Sequence, residues 1–289
     1  MRGGGQSYSV VIGSGLLANI RDSIKAKISP SSCAIVTDTN IGPLFGGALA
    51  KNLRSAGYEP KLIAVPAGEK SKTLEQAGEI CEEMLRAGLD RQSFVIGLGG
   101  GVIGDLSGFV AAIFKRGIPH VQLPTTLLAM VDSSIGGKTG VNAGAGKNLI
   151  GAFHPPALVI DDVAVLEKLP PHEMSQGFAE IIKHAIIADA EMFNQLNEIA
   201  IHKLDGLKPS SLIELIRRNV EIKARIVEND ERERNGQRAL LNFGHTVGHG
   251  IERAVDYRGI THGDAISVGM VAACDISMKK VGLSKNDRD

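Results

Sequence analysis

The chain has 289 residues, of which 43% are hydrophobic, and its 32 basic side chains are balanced by 32 acidic ones. This length predicts two domains at ~150 residues each, and the absence of net charge argues against a nucleic-acid partner. No run approaches the ~20 apolar residues of a membrane span, and the short Gly-rich N-terminus lacks the pattern of a signal or transit peptide. Three cysteines without metal-ligand spacing indicate reduced core thiols, so we expect a cytoplasmic protein.

Short apolar runs alternate with helical patterns in the first half of the chain. Four runs, at 10–12, 34–38, 62–65 and 94–97, are typical of buried strands, and helical spacing fills 42–56 and 74–87. This alternation predicts a mostly parallel sheet covered by helices in an α/β domain over residues 1–169. From about Pro170 the strand-like runs disappear, and a helical stripe such as Leu212, Leu215, Ile216 and Val220 replaces them. Residues 170–289 are therefore predicted to form an all-helical domain.

A glycine-rich turn follows the fourth strand-like run. Gly99, Gly101 and Gly104 have the spacing G-x-G-x-x-G, and a helical pattern over 106–114 comes next. Because glycines let the N–H groups of a helix N-terminus approach a diphosphate, this context favours a dinucleotide site. Asp38 ends an earlier run, where it is either a ribose acceptor or a helix N-cap, and the sequence leaves both interpretations open.

Residues 123–151 combine many glycines with cations and scattered apolar side chains. We interpret this stretch as a binding loop between the domains rather than a buried element. Lys138, Lys147 and Asn148 offer two ammonium groups and an amide to a phosphate, and Arg116 after the glycine helix offers a bidentate clamp. Their clustering on glycine-rich loops predicts an anion site.

A third pattern predicts a metal site in the second half. Glu180, Lys183 and His184 share one helical face, His245 and His249 lie one turn apart, and His262 follows. One Glu and two His would leave an open coordination position for substrate, which is typical of a catalytic metal site. Spacing alone pairs His245 with His249, and it does not settle which of the two binds the metal and which faces substrate.

Taken in order from about Tyr8 to Val281, these motifs closely resemble the 3-dehydroquinate synthase family. The resemblance implies an NAD-binding α/β domain joined to a helical, metal-binding C-terminal domain, usually in a homodimer. It implies conversion of 3-deoxy-D-arabino-heptulosonate 7-phosphate, a small phosphorylated keto acid, to 3-dehydroquinate in the shikimate pathway. The implied route is transient oxidation by NAD, phosphate elimination, re-reduction, ring opening and intramolecular aldol closure.

The resemblance also assigns roles to individual residues. The implied ligands of Zn²⁺, or of Co²⁺, are Glu180, His245 and His262. The implied substrate contacts are Lys138, Asn148, His249 and a cross-dimer Arg116 for the phosphate, Lys223 and Arg238 for the carboxylate, and Asp132, Lys183 and Asn242 for the hydroxyls. The implied NAD positions are Asp38, Asn40, Glu69, Lys72, Gly100, Gly101, Val102, Asp105, Thr125, Thr126, Lys138 and Lys147.

Two features depart from the family pattern. Members usually continue for several helices beyond Gly282 and Leu283, so a truncated chain without a late basic phosphate contact is expected, and Lys168 stands where members often carry Thr beside NAD. Three alternatives remain: another sugar-phosphate cyclase such as 2-deoxy-scyllo-inosose synthase, a metal-dependent polyol dehydrogenase, and a non-enzymatic copy that still binds NAD or metal. Lys223, Arg238 and Asn242 favour a carboxylated substrate and rank the other cyclase second. The phosphate-binding cations argue against the dehydrogenase, and the presence of Glu180, His245, His262 and Lys138 opposes the non-enzymatic copy.

Overall fold

The computed structural model describes residues 2–3, 6–29, 31–198, 207–230, 233–255 and 259–288. Its strands, all before residue 163, are β1 Arg2–Gly3, β2 Gln6–Ser7, β3 Ser9–Gly13, β4 Ser32–Asp38, β5 Glu59–Val65, β6 Phe94–Gly99, β7 His120–Pro124, β8 Lys138–Ala143, β9 Gly146–Phe153 and β10 Leu158–Asp162. The four runs that the sequence analysis assigned to strands correspond to β3, β4, β5 and β6. That prediction is confirmed.

Helices occur in both halves of the described chain. They are α1 Ile20–Lys25, α2 Gly47–Ser55, α3 Leu74–Arg86, α4 Gly101–Ile113, α5 Pro171–Ala188, α6 Ala190–Glu198, α7 Pro209–Asn229, α8 His245–Ala254, α9 His262–Val281 and α10 Lys285–Arg288. Short 3₁₀ or π-helical turns lie at Leu16–Asn19, Gly42–Gly46, Glu69–Ser71, Phe114–Arg116, Ala129–Ser133, Val163–Lys168 and Gln237–Asn242. The helices predicted over 42–56 and 74–87 are therefore present with small shifts at their ends.

Six strands form one parallel sheet in the order β3-β10-β7-β6-β4-β5. The apolar side chains of its four inner strands are buried on both faces because helices cover each side. On one face Ile35 and Ile96 pack in a cluster with Leu53 of α2, and on the other Val36 and Val95 pack in a cluster with Val110 of α4. Since all six strands run the same way, the turns that follow their carboxyl ends meet along one edge of the sheet.

Beyond residue 170 every described element is a helix. The stripe predicted from Leu212 to Val220 is buried on α7, where it joins a cluster with Ile181 of α5 and Met130 of the turn Ala129–Ser133. This cluster connects the helical half to the edge of the sheet where the strands end. The division at residue 170 into two domains stays a prediction.

The stretch 123–151 is more regular than the loop expected from its glycines, which corrects that interpretation. Strands β8 and β9 form an antiparallel hairpin in which Gly140 lies opposite Gly151. A Cβ atom on Gly140 would lie 2.7 Å from the carbonyl oxygen of Ile150. The glycines thus permit close strand pairing, and part of β8 is buried against the protein.

The cysteines only partly match their predicted placement. All three are free thiols, and Cys33 is buried in the sheet, but Cys81 and Cys274 are half-buried. Cys81 on α3 packs against the core cluster on one face of the sheet, whereas Cys274 on α9 joins no core cluster of the described residues, so the prediction of core cysteines is wrong only for Cys274. Across the described part of the chain, no helix combines the length and hydropathy needed to cross a membrane.

Candidate active site

The glycine-rich turn joins the end of β6 to the start of α4. Gly100 precedes α4 in an extended conformation, and no side chain caps this helix N-terminus. The next strand, β7, leads into Thr125, whose buried hydroxyl has no hydrogen-bond partner, and into Thr126, whose hydroxyl accepts the N–H of Ala129 at 3.2 Å. Backbone donors and a free buried hydroxyl thus lie at neighbouring strand ends, where a dinucleotide could be held.

A polar cluster borders this turn. Lys72 donates to Asp105 and to the side-chain oxygen of Asn148, each at 2.5 Å, and Asn142 donates to Glu69 at 2.8 Å. Burial raises the pKa of Asp105 above its ordinary value even though Lys72 opposes the shift. The structure therefore brings three residues predicted for NAD, at 69, 72 and 105, next to one predicted for phosphate, at 148.

Asp38 lies at the end of β4, and its carboxylate is already engaged. It accepts the backbone N–H groups of Asn40 at 2.8 Å and Ile41 at 2.9 Å. These bonds form an Asx turn directly after β4. The helical turn Gly42–Gly46 that follows starts at Ile41 without a side-chain cap, so the N-cap interpretation is wrong, and the ribose role remains a prediction.

Three side chains from three helices converge in the second half of the molecule, and we refer to Glu180, His245 and His262 as the carboxylate–histidine cluster. Their candidate ligand atoms all lie within 4.8 Å of one another. Glu180 Oε1 is 3.7 Å from Nε2 of each imidazole and has no hydrogen-bond partner although it is buried. A buried carboxylate oxygen that faces two ring nitrogens is the arrangement expected of a divalent metal site.

Close packing of α5, α8 and α9 produces this convergence. A Cβ atom on Gly263 would lie 2.6 Å from Cα of Gln176 on α5, and one on Gly269 would lie 2.1 Å from the carbonyl oxygen of Gly244, directly before α8. Only glycine permits such helix contacts. The N-cap Thr261 also forms a capping box with Asp264, which fixes the helix start where His262 lies.

Buried charges next to the cluster are mutually paired. Lys183, which is 1% exposed, donates to Glu180, and Lys223 donates to Asp132 Oδ1 at 2.5 Å and to the Asp132 carbonyl oxygen at 2.6 Å. Burial raises the pKa of Asp132, but the ammonium groups of Lys223 and Lys183 outweigh it, so the pKa lies well below its ordinary value. Fixed charges of both signs therefore lie beside the candidate metal ligands.

The histidines of the cluster differ in protonation. Burial lowers the pKa of His262, but the carboxylates of Glu180 and Glu252 on its two sides raise it to about 9. Burial lowers the pKa of His245 below its ordinary value. His262 is therefore protonated at neutral pH when no metal is present, and a metal ion must displace its proton to bind.

Two of the cations predicted to bind substrate, Lys138 and Arg238, share the carboxylate of Glu233 as their counter-ion. Lys138 Nζ is 2.5 Å and Arg238 Nε is 3.5 Å from Oε1 of Glu233. The ring of His249 lies 5.1 Å from that of His245, and its side chain is 61% exposed. Asn242 ends the 3₁₀ turn before α8 and is exposed. Lys138 and Arg238 are thus close neighbours, as two groups that bind one anionic molecule must be.

Arg116 and Lys168 lie at the surface. Arg116 is exposed and has a left-handed φ of 72° in the turn after α4. The helix places it about 20 Å from the glycine-rich turn at 1.5 Å per residue. Lys168 is also exposed. The phosphate role of Arg116 therefore stays a prediction.

Sequence reasoning missed three residues of the site. Glu252 lies beside His262 and His249, Glu233 pairs with Lys138, and Asn219 bonds the ring of His184 at 3.0 Å. The spacing of His245, His249 and Glu252 along one helical face was the available signal for Glu252. Glu233 and Asn219 gave no signal, because each meets its partner through the tertiary fold.

Comparison with known proteins agrees with this geometry. The 3-dehydroquinate synthase of Symbiobacterium thermophilum is 46% identical over 286 residues, which are 99% of this chain and 79% of that protein. The chain belongs to the 3-dehydroquinate synthase family. Family models described as 3-dehydroquinate synthase N-terminal and 3-dehydroquinate synthase C-terminal match residues 62–176 and 177–289. The predicted family is confirmed, whereas the expected truncation gains no support from these comparisons.

Solved structures of related cyclases share the fold with this member of the 3-dehydroquinate synthase family. A 2-deoxy-scyllo-inosose synthase with carbaglucose-6-phosphate, NAD⁺ and Co²⁺ has a TM-score of 0.89 at 27% identity, over 98% of this chain and 76% of that one. The 2-epi-5-epi-valiolone synthase of Streptomyces hygroscopicus, with NAD⁺ and Zn²⁺ bound, has a TM-score of 0.84 at 30% identity, over 96% and 81%. The sheet and its covering helices are therefore those of the sugar-phosphate cyclases.

Proposed function

We propose that this chain catalyses the 3-dehydroquinate synthase reaction, releasing phosphate from 3-deoxy-D-arabino-heptulosonate 7-phosphate as it forms the carbocycle of 3-dehydroquinate. The observation that carries this proposal is the carboxylate–histidine cluster, whose three donors converge beside the buried Lys183 and the Asp132–Lys223 pair. Membership of the family supplies the substrate class. The reaction is neutral in electrons, because the hydride removed early is returned before ring closure.

A divalent metal fits the cluster. One carboxylate oxygen and two imidazole nitrogens form the N₂O donor set of many catalytic zinc sites, with room left for a substrate oxygen. The unpartnered Oε1 of Glu180 is the observation that favours a cation over a simple polar contact. Related cyclases with Co²⁺ or Zn²⁺ bound support the same choice. Glu180, His245 and His262 would hold the ion.

NAD fits the turn between β6 and α4. The uncapped start of α4 supplies backbone N–H donors, and the free hydroxyl of Thr125 supplies a side-chain partner. We place the diphosphate near Gly100, Gly101 and Val102, and we assign Asp105, Lys72, Glu69 and Lys147 to the border of this site. When bound, the nicotinamide would take a hydride from a carbinol carbon and later return it, and the metal would polarise the hydroxyl oxygen on that carbon so that its proton can leave.

The remaining groups would bind and orient the substrate. Arg238 and Lys223 would face its carboxylate, and Lys138, Asn148 and His249 its phosphate. Asp132, Lys183 and Asn242 would contact its hydroxyls. Because Asp132 stays ionised between two ammonium groups, it is suited to accept hydrogen bonds from hydroxyls rather than to donate a proton. Five of these eight groups belong to the proposed helical metal-binding domain, namely Lys183, Lys223, Arg238, Asn242 and His249.

The phosphate site would be completed by a second copy of the chain. Arg116 is exposed in the turn after α4, and the family resemblance implies that this arginine reaches across a dimer interface to the phosphate bound by the other protomer. Co-expressing Arg116→Ala with Glu180→Gln tests this homodimer. If each protomer lends its arginine to the partner, mixed dimers keep one intact site and about a quarter of the wild-type activity returns. Activity no higher than that of the two variants alone would contradict the shared site.

A single assay tests the proposed reaction. The chain of 289 residues, loaded with Zn²⁺ or Co²⁺ and NAD, is given the heptulosonate phosphate while released phosphate, 3-dehydroquinate and NADH are followed. We expect equal amounts of phosphate and 3-dehydroquinate and no lasting NADH, with Glu180→Gln as the inactive control. Accumulating NADH would indicate a polyol dehydrogenase instead. Turnover of glucose 6-phosphate alone would indicate a 2-deoxy-scyllo-inosose synthase, which the lower identity to such enzymes, 27% against 46%, disfavours.

A further inference from the structure

Glu252 is a buried carboxylate with no assigned role, and it lies at the junction of three proposed subsites. It is located in the last turn of α8 and is 5% exposed. Seven residues separate it from His245 and three from His249, so all three share one face of the helix. A carboxylate is rarely buried to this extent unless cationic groups surround it.

The partners of Glu252 come from three separate elements. Its Oε1 is 3.5 Å from Nδ1 of His262 on α9 and 3.6 Å from Nζ of Lys147 on β9. Its Oε2 is 3.9 Å from Nε2 of His249 on α8. The carboxylate of Glu252 therefore connects Lys147 of the hairpin, His249, which is proposed to contact phosphate, and His262, which is a candidate metal ligand.

The two imidazoles of the carboxylate–histidine cluster use their ring nitrogens in the same way. His245 directs Nε2 toward Glu180, and its Nδ1 is 3.2 Å from the carbonyl oxygen of Phe243. His262 also directs Nε2 toward Glu180, while Nδ1 faces Glu252. In metal sites an acceptor behind the distal ring nitrogen fixes which nitrogen carries the proton and which binds the ion. Phe243 fills this role for one imidazole, and Glu252 is placed to fill it for the other.

We propose that Glu252 is a positioning residue of the metal site, which holds His262 with Nδ1 protonated and Nε2 directed at the ion, and which ties that ring to Lys147 of the hairpin. This inference rests on the metal site of the proposed function. It adds a link between the sheet half and the helical half of the molecule. A loss of Glu252 would loosen the metal ligand and the hairpin together.

Metal affinity provides a test that does not depend on turnover. Zn²⁺ binding to the whole protein is measured by competition with a chromophoric chelator for the wild type, Glu252→Gln and Glu252→Ala. Loss of such an outer carboxylate weakens metal binding by about 10- to 100-fold, and we expect the larger loss for the alanine variant. Arg253→Gln is the matched control, because Arg253 is the next residue of α8 and is exposed. We expect the control to bind as the wild type does.

A spectroscopic measurement separates positioning from general destabilisation. Histidine ¹⁵N shifts of the Zn²⁺-loaded protein report which ring nitrogen of His262 carries the proton. We expect a protonated Nδ1 in the wild type and a changed Nδ1 signal in Glu252→Gln, the variant that keeps the shape of the side chain. A structural role alone would leave that signal unchanged.

The outcomes distinguish this inference from the proposed function. If the wild type binds Zn²⁺ and Glu180→Gln does not, the metal site stands. Unchanged affinity and unchanged His262 shifts in Glu252→Gln would then overturn the positioning role. If the wild type shows no Zn²⁺ binding that depends on Glu180, the metal site of the proposed function fails first, and the role of Glu252 falls with it.

Discussion

Two buried regions of this molecule treat ionisable side chains in opposite ways. Around the carboxylate–histidine cluster, Lys183 is held by Glu180 and Lys223 by Asp132. In the sheet, both ring nitrogens of His120 on β7 and both carboxylate oxygens of Asp161 on β10 are buried without hydrogen-bond partners. Burial of a charge without a partner favours the neutral form, whereas paired charges stay ionised.

This difference indicates that the paired charges serve the reaction, whereas the unpaired groups of the sheet affect only the stability of the fold. Charges that are buried but paired cost about as much desolvation energy as they recover, so stability alone does not explain the group of them near α5 and α7. They are explained by a substrate that carries charges of its own. His120 and Asp161 in the sheet are not explained by a charged substrate. Because they are buried without partners, they make the free energy of unfolding depend on pH.

The largest expected effect comes from Glu180→Gln, which keeps the shape of the side chain and removes the charge shared with both imidazoles. Because a metal supplies several kcal/mol of transition-state stabilisation, we expect kcat to fall by about 10²- to 10³-fold or more. Bound zinc, measured after dialysis, should fall in parallel. Full metal content together with full activity would remove the carboxylate–histidine cluster from the mechanism.

Asp132→Asn comes next and tests whether pairing is what keeps the charges buried. The change leaves the buried ammonium of Lys223 with two neutral acceptors, the amide oxygen and the backbone carbonyl oxygen of residue 132, and without the charge of its carboxylate partner. We expect a loss of about 3 kcal/mol in the free energy of unfolding, near the low end for a broken buried pair because the Asp132 side chain is 31% exposed. Urea unfolding at neutral pH measures it.

An exposed pair provides the control for Asp132→Asn. Glu214 pairs with Arg217 on the surface of α7, where the two side chains are 54% and 47% exposed. Glu214→Gln should change the free energy of unfolding by less than about 1 kcal/mol. Equal losses in the two variants would mean that burial makes no difference to the pairing.

Four of the six strands of the sheet, but not the grouping of the site residues, could be predicted from the sequence alone. Parallel strands are buried on both faces, so their apolar runs are continuous and easy to recognise in residues 94–97. The hairpin was missed because Gly140 and Gly151 pair through their backbones, a contact that leaves no apolar pattern. Local pattern therefore predicts elements whose side chains are buried, and it fails where backbones pack together.

For the site, spacing gave the candidates but not their grouping. It paired His245 with His249, yet the structure places His262 beside Glu180 and leaves His249 largely exposed. Contacts between α5, α8 and α9 bring these residues together, and helix packing is not encoded in the spacing within any one helix. The family resemblance supplied the grouping, because a shared fold carries tertiary contacts that one sequence does not display.

A smaller effect is expected from His120, whose burial lowers its pKa to about 3. The unfolded state takes up a proton below about pH 6.5 and the folded state does not, so stability is full above that pH and is lost as pH falls. For these two pKa values the loss at pH 5 is about 2 kcal/mol. His120→Phe should flatten the decline in melting temperature between pH 7 and pH 5, and the exposed His172→Phe should leave it unchanged.

The smallest expected effect concerns the adjacent pair Asp161 and Asp162, which alternate between the two faces of β10. Asp162 accepts backbone N–H groups from Gly15, Leu17 and Ala164 at 2.7–3.1 Å, whereas Asp161 accepts none. Burial holds the pKa of Asp161 well above its ordinary value, so its contribution is present below the unfolded pKa and is lost as pH rises. The buried carboxyl of Asp161 therefore lowers the free energy of unfolding at neutral pH.

Replacing Asp161 with Asn should accordingly stabilise the protein by about 1 kcal/mol at pH 8, because no carboxyl then has to stay protonated. The gain should shrink toward pH 4, where the unfolded state also takes up the proton. Asp162→Asn should destabilise the fold instead, since it weakens three hydrogen bonds from backbone donors. Melting temperatures of both variants across this pH range decide the matter. A loss of stability in Asp161→Asn at pH 8 would show that the carboxyl has a partner in solution. Asp161 would then be a paired group, as the charges around the carboxylate–histidine cluster are.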